Sequence, residues 1–118
     1  MAEIAKEKLQ TEQLEEEAAI AALSTEGVYC MHVLPVDHLA ESLLGKADHF
    51  SGVRISRNNS ALIFDIYCEV CYGCRIPETA WNIQENVKKR IETRTGSTVE
   101  KVNIHIEGIR KKQGEKNA

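Results

Sequence analysis

The sequence predicts an α+β domain, a mixed sheet of about four strands with two main helices packed on one face, in the order α-β-β-β-α-β. Three observations lead there. Ile76, Ala80, Ile83, Val87 and Ile91 recur at steps of three or four, which is the apolar stripe of an amphipathic helix. Val102, Ile104 and Ile106 alternate with Asn103, His105 and Glu107, the period of a strand with one buried face. Val53 and Ile55, then Asn58-Asn59, then the run from Ala61 to Val70 read as a hairpin, because asparagine tolerates the positive φ of tight turns.

Taken in order, residues 1–11 are a polar lead, flexible or helical. Glu12 to Leu23 predicts the first helix, since glutamate and alanine are strong helix formers and the small residues from Ala18 to Ala22 allow close packing. Gly27 breaks it. Val28 to Leu34 is a short apolar run suited to a strand buried on both faces, closed by Pro35. Val36, Leu39 and Leu43 have helical spacing before Gly45 and predict a short helix or ordered loop that caps one end of the core. In the second hairpin arm Leu62, Phe64, Ile66, Cys68 and Val70 share one face, while Ile63, Asp65, Tyr67 and Glu69 share the other. The first face is core and the second is wet.

After Gly73 comes the second main helix. Pro77 suits its first turn, where a missing N–H costs nothing, and Gly96 can take the left-handed conformation that ends helices. Glu78 near the positive end, and Lys88, Lys89, Arg90 and Arg94 near the negative end, complement the helix dipole. Residues 12–109 then form a single domain, and the polar residues 110–118 are expected to be a disordered tail.

Composition narrows the function classes. Of 118 residues, 42% are apolar and 28% charged, and the net charge of −3 gives no bulk attraction for a polyanion. The N-terminus carries no apolar signal core, and no run approaches the roughly 18 apolar residues of a membrane span. The expectation is a cytoplasmic protein whose four cysteines stay reduced.

Cys68, Cys71 and Cys74 form a C-x2-C-x2-C run at a predicted turn, and thiolates so spaced can converge on zinc or an iron–sulfur cluster, with Cys30 or a histidine as fourth ligand. A redox pair at Cys71 and Cys74 is the related alternative. Against both, cysteine often serves as a small core residue, and alternation turns Cys68 toward the buried face. His32 and His105 read as lone strand histidines. No nucleophile elbow, phosphate loop, HExxH or paired-carboxylate motif is present, so neither catalysis nor a small-molecule substrate or cofactor is expected.

Lys88 and Lys89, with Arg90, Arg94, Arg110, Lys111 and Lys112, could offer a basic face to anionic lipid or RNA, but a solvated helix end explains them as well. No aromatic stacking platform accompanies them, which ranks nucleic acid last. Trp81 lies about 100° off the apolar stripe and is either a flank of the core or an exposed anchor for a partner. Ile63 and Tyr67, on the wet face of their strand, add to a protein-binding or self-association surface.

Glu26 to Met31, the hairpin, Tyr72 to Gly96 (YGCRIPETAWNIQENVKKRIETRTG) and Val102 to Ile109 (VNIHIEGI) together resemble the alkaline shock protein family, the envelope stress response proteins of Gram-positive bacteria. The match runs over about residues 13–109. The resemblance implies a small non-enzymatic cytoplasmic protein that supports cell-envelope homeostasis through protein contacts, in some members held at the inner membrane face by a membrane-spanning partner. It supplies no catalytic residues. This sequence departs from the family pattern in its cysteine run and in a helical lead where a short first strand is usual. Two functional readings follow: an interaction module that binds a protein partner and self-associates, or a metal- or redox-sensing variant of the same scaffold.

Overall fold

The computed structural model describes residues 2–32 and 52–111, with side chains from residue 10 onward. The elements are α1 (Ala2–Leu23), β1 (Val28–Met31), β2 (Val53–Asn58), β3 (Ala61–Cys71), α2 (Ile76–Thr95) and β4 (Val99–Arg110). The short helix or loop expected from Val36 to Gly45 lies outside the described residues, as do residues 112–118.

β3 is the centre of the sheet. Its five core-side residues, Leu62, Phe64, Ile66, Cys68 and Val70, are all fully buried, as the alternation predicts. β4 runs parallel to it along one edge, with Phe64 opposite Val102 and Ile66 opposite Ile104. Along the other edge β2 and β1 lie end to end, both antiparallel to β3. They share its length: β2 pairs with Ala61 to Ile66 and β1 with Cys68 to Val70. The hairpin between β2 and β3 closes through Asn59, which takes φ 60°.

Both helices cover the same face. α1 lays Leu14, Ala18, Ala21 and Ala22 on the core, and α2 adds Thr79, Ile83, Val87 and Ile91. The two helices also bond to each other. Glu17 accepts hydrogen bonds from Arg90 Nε (2.8 Å) and pairs with Arg94 Nε (2.7 Å), and Asn86 Nδ2 donates to Thr25 Oγ1 (2.9 Å). Gly96 ends α2 in the left-handed conformation (φ 74°), and its N–H returns to Glu92 O.

Three expectations are corrected. β1 ends at Met31 and is half-buried with Tyr29 exposed, because among the described residues it is an edge strand covered by helix on one side only. The buried stripe of α2 begins at Thr79, leaving Ile76 exposed, since the first turn overhangs the end of the core. Thr79 seats against Gly27 (φ 98°), where an added Cβ would stand 2.8 Å from Thr79 Oγ1. Arg110, placed in a disordered tail by sequence, closes β4. The polar lead takes the helical of its two expected forms, with α1 starting at Ala2.

Candidate functional site

Helices on one face leave the other face of the sheet uncovered among the described residues. Its central row is Ile63, Asp65, Tyr67 and Glu69 of β3, each half-buried. The strand register sets their neighbours: Arg54 of β2 and Asn103 of β4 flank Asp65, and His105 lies beside Tyr67. Because paired residues on adjacent strands point to the same side, this row is a continuous surface.

Its polar groups bind one another. Asn103 Nδ2 donates to Asp65 Oδ1 (3.1 Å), and His105 Nε2 lies 2.9 Å from the same oxygen. The imidazole of His105 also stacks on Tyr67, with ring centroids 4.2 Å apart and planes inclined by 10°. One step along, Glu69 meets His32 Nδ1 at 3.3 Å and accepts from Arg110 Nε at 2.6 Å. The hydrogen bond from His32, joined by Arg110, holds the Glu69 carboxyl below its ordinary range. Burial first, and then the Glu69 charge, push the neighbouring Cys30 thiol up.

The backbone at this point is also fixed. Tyr67 N–H donates to Gly52 O (2.7 Å), and its carbonyl accepts from His32 N (2.9 Å), so the ends of β1 and β2 meet at one residue. Gly52 is required there. Its φ is 85°, and a Cβ would approach Tyr67 O to 2.6 Å. The result is a pre-organised, mixed polar and aromatic surface whose carboxylates are already engaged, an arrangement suited to recognition. Nothing in it points to catalysis.

The cysteines are distributed between the two sides of the sheet. Cys68 is fully buried in the core, where desolvation pushes its thiol up to about 11. Cys71 follows on the opposite parity, and the Cys74 N–H bonds to Cys71 O (3.2 Å) across the turn. Cys30 sits opposite Glu69 on β1. All four are free thiols, and among the described residues no group of three or more His, Cys, Asp or Glu side chains is placed to hold a metal ion.

Of the partner-binding residues read from sequence, Ile63 and Tyr67 lie together on the open face. Trp81 is elsewhere, 61% exposed on α2. Lys88 and Lys89 are exposed on the outer side of the same helix. The wider basic cluster is not one surface: Arg90 and Arg94 are paired to Glu17, while Arg110 belongs to the far end of the sheet beside Cys71. Sequence reasoning missed the roles of Asp65, Glu69, Asn103, His32 and His105. The signal was the shared parity of Asp65, Tyr67 and Glu69, which becomes informative only once the register aligns β4 with it.

A family model of cell envelope-related function, that of the alkaline shock proteins, matches residues 2–111. The uncharacterized protein YqhY of Bacillus subtilis (strain 168) is 32% identical over 106 residues, covering 90% of this chain and 78% of that protein. The uncharacterized protein YloU of the same organism is 35% identical over 74 residues, 63% of this chain and 61% of its own length. The uncharacterized protein Spy1535 of Streptococcus pyogenes serotype M6 is 31% identical over 97 residues, covering 81% of this chain and 72% of that protein. No solved structure matches. Among the described residues no helix is long and apolar enough to cross a membrane. With nearly its whole length matched by the family model and the motifs around Tyr72 to Gly96 in place, this chain belongs to the alkaline shock protein family, a family of cell envelope-related function.

Proposed function

We propose that this chain is a non-enzymatic interaction module that serves the cell envelope by docking a protein partner, a membrane-anchored one, on the open sheet face around Tyr67. The observation that supports this reading most is the Tyr67–His105 stack set between two engaged carboxylates, Asp65 and Glu69. The side chains here are held in place, so binding loses little rotamer freedom.

A photo-crosslinking residue at position 67, with a control at the exposed Glu85 of α2, tests this in living cells. One discrete adduct with a membrane-fraction protein at 67, absent at 85, is expected. No adduct at 67, or the same adduct at both positions, would refute docking on this face.

A further inference from the structure

We propose that β4 also pairs with β4 of a second copy of this chain, antiparallel and centred on Ile104, so that two sheets join into one. Among the described residues β4 pairs with a strand on one side only, β3, while on its outer side α2 side chains take two backbone groups, Glu92 accepting from Val99 N–H (3.1 Å) and Gln84 donating to Val102 O. Which backbone groups face outward follows from alternation. Tyr67 bonds toward β1 and β2, so the even residues of β3 face β4, in agreement with the bonds from Leu62 N–H to Thr98 O and from Tyr72 N–H to Arg110 O. In the parallel register the backbone of Lys101, Asn103 and His105 then faces β3, and that of Val102, Ile104 and Ile106 faces outward. A side-chain contact agrees: Val102 O, facing outward, accepts from the side chain of Gln84 (3.0 Å).

A twofold axis at Ile104 makes the strand complementary to itself. Asn103 falls opposite His105, Val102 opposite Ile106, and Val99 opposite Ile109 of the second copy. Lys101 falls opposite Glu107, twice by symmetry, and both are exposed in the single chain. Moving the centre to residue 103 sets Lys101 against His105, and moving it to 105 sets Lys101 against Ile109. Either shift loses both ion pairs. The register with β3 shifts between Val99 and Lys101 and again between Ile106 and Gly108, so the regular ladder would run from Val102 to Ile106, with the two Lys101–Glu107 pairs flanking it at its ends.

The flank of this edge fits the same occupant. Trp81 lies one helical turn before Gln84, on the side of α2 that reaches β4, and it is the most exposed large apolar residue described. Ile109, also exposed, lies at the strand's end. Antiparallel pairing would bring the Trp81 flanks of the two copies together and replace the Gln84 contact with backbone bonds. An unpaired strand edge without proline invites such an addition. The pairing uses the edge and leaves the Tyr67 face free, so it can fail while docking on that face holds, and the reverse.

Sedimentation of the full 118-residue chain tests the pairing. Wild type should dimerise with concentration, and Lys101→Glu or Glu107→Lys alone should weaken the dimer about tenfold, since each turns two attractive pairs into repulsive ones. An equimolar mixture of these two single variants should form a heterodimer as tight as wild type, because antiparallel register restores both pairs. Unchanged circular dichroism of the variants would show that the fold survives. A chain that stays monomeric at about 1 mM, a dimer indifferent to Lys101→Glu, or a mixture that fails to recover would each overturn the proposal.

Discussion

Residues one position apart on β3 have different fates. Phe64 and Ile66 are fully buried beneath α1 and α2, while Asp65 and Tyr67 between them stay half in water. The buried side is held by volume: it has no polar obligations beyond the backbone, and its contribution scales with apolar area removed from water. The open side is held by pairing. Asp65 is paired with Asn103 and His105, and Glu69 with Arg110 and with His32 just past β1; the histidine and arginine partners keep much solvent contact, so their pairing adds modest net stability. A side that is organised but energetically modest is where a binding surface can change without unfolding the domain.

The largest effect that could break this comparison is Phe64→Ala. It should cost about 3–5 kcal/mol in urea unfolding, a large part of the stability of a domain this size. If instead the variant unfolds near the wild-type midpoint, the core has been placed on the wrong face.

Glu17→Ala should come next, at about 2 kcal/mol, because it removes a nearly buried acceptor shared by Arg90 and Arg94. Glu69 is as little exposed, with side chains at 12% against 11% for Glu17, and it also has two partners, so Glu69→Ala should cost a similar amount; a much smaller loss would show that equal burial counts for less on the open face than in the helix layer.

A pH series isolates Cys68. Its thiol is raised from an ordinary 9.0 to about 11 in the fold, so the unfolded chain releases that proton first. The stability it contributes is therefore complete below pH 9 and is lost as pH climbs to 11, by about 1–2 kcal/mol. Cys68→Ala should remove this part of the alkaline slope, which denaturant midpoints at pH 8, about 9.5 and about 11 would show. An unchanged slope would mean that the thiol is reached by water.

Tyr67→Ala should be smallest, below about 1 kcal/mol, despite the lost stack on His105. A cost approaching that of Phe64→Ala would erase the distinction between the faces.

Much of the fold was legible in the chain because local rules and tertiary packing agreed. The alternation from Leu62 to Val70 and the stripe through Ile83, Val87 and Ile91 each state a period and a buried face, and Asn59 and Gly96 mark turns by their tolerance of positive φ. Ile76 was misread because periodicity does not say where the underlying sheet stops. β1 was misread because an apolar run looks alike at the centre and at the edge of a sheet. The open face was half legible. Alternation placed Ile63 and Tyr67 on it, but the Asp65–His105 and Glu69–Arg110 pairs span 40 and 41 residues and depend on parallel pairing that no local signal encodes. Glu17 was hidden for a similar reason: within the run Glu15-Glu16-Glu17, helix spacing from Leu14 to Ala18 and Ala21 selects the residue that turns inward, and only the position of α2 gives it partners.

The most direct test of the account replaces Ile63 and Tyr67 together by serine in the full chain and follows two readouts, urea unfolding and the envelope-stress tolerance of cells carrying the variant. The account predicts stability within about 1–2 kcal/mol of wild type and loss of tolerance. Retained tolerance with the fold intact would contradict it, and so would collapse of the fold itself, which would make this face structural.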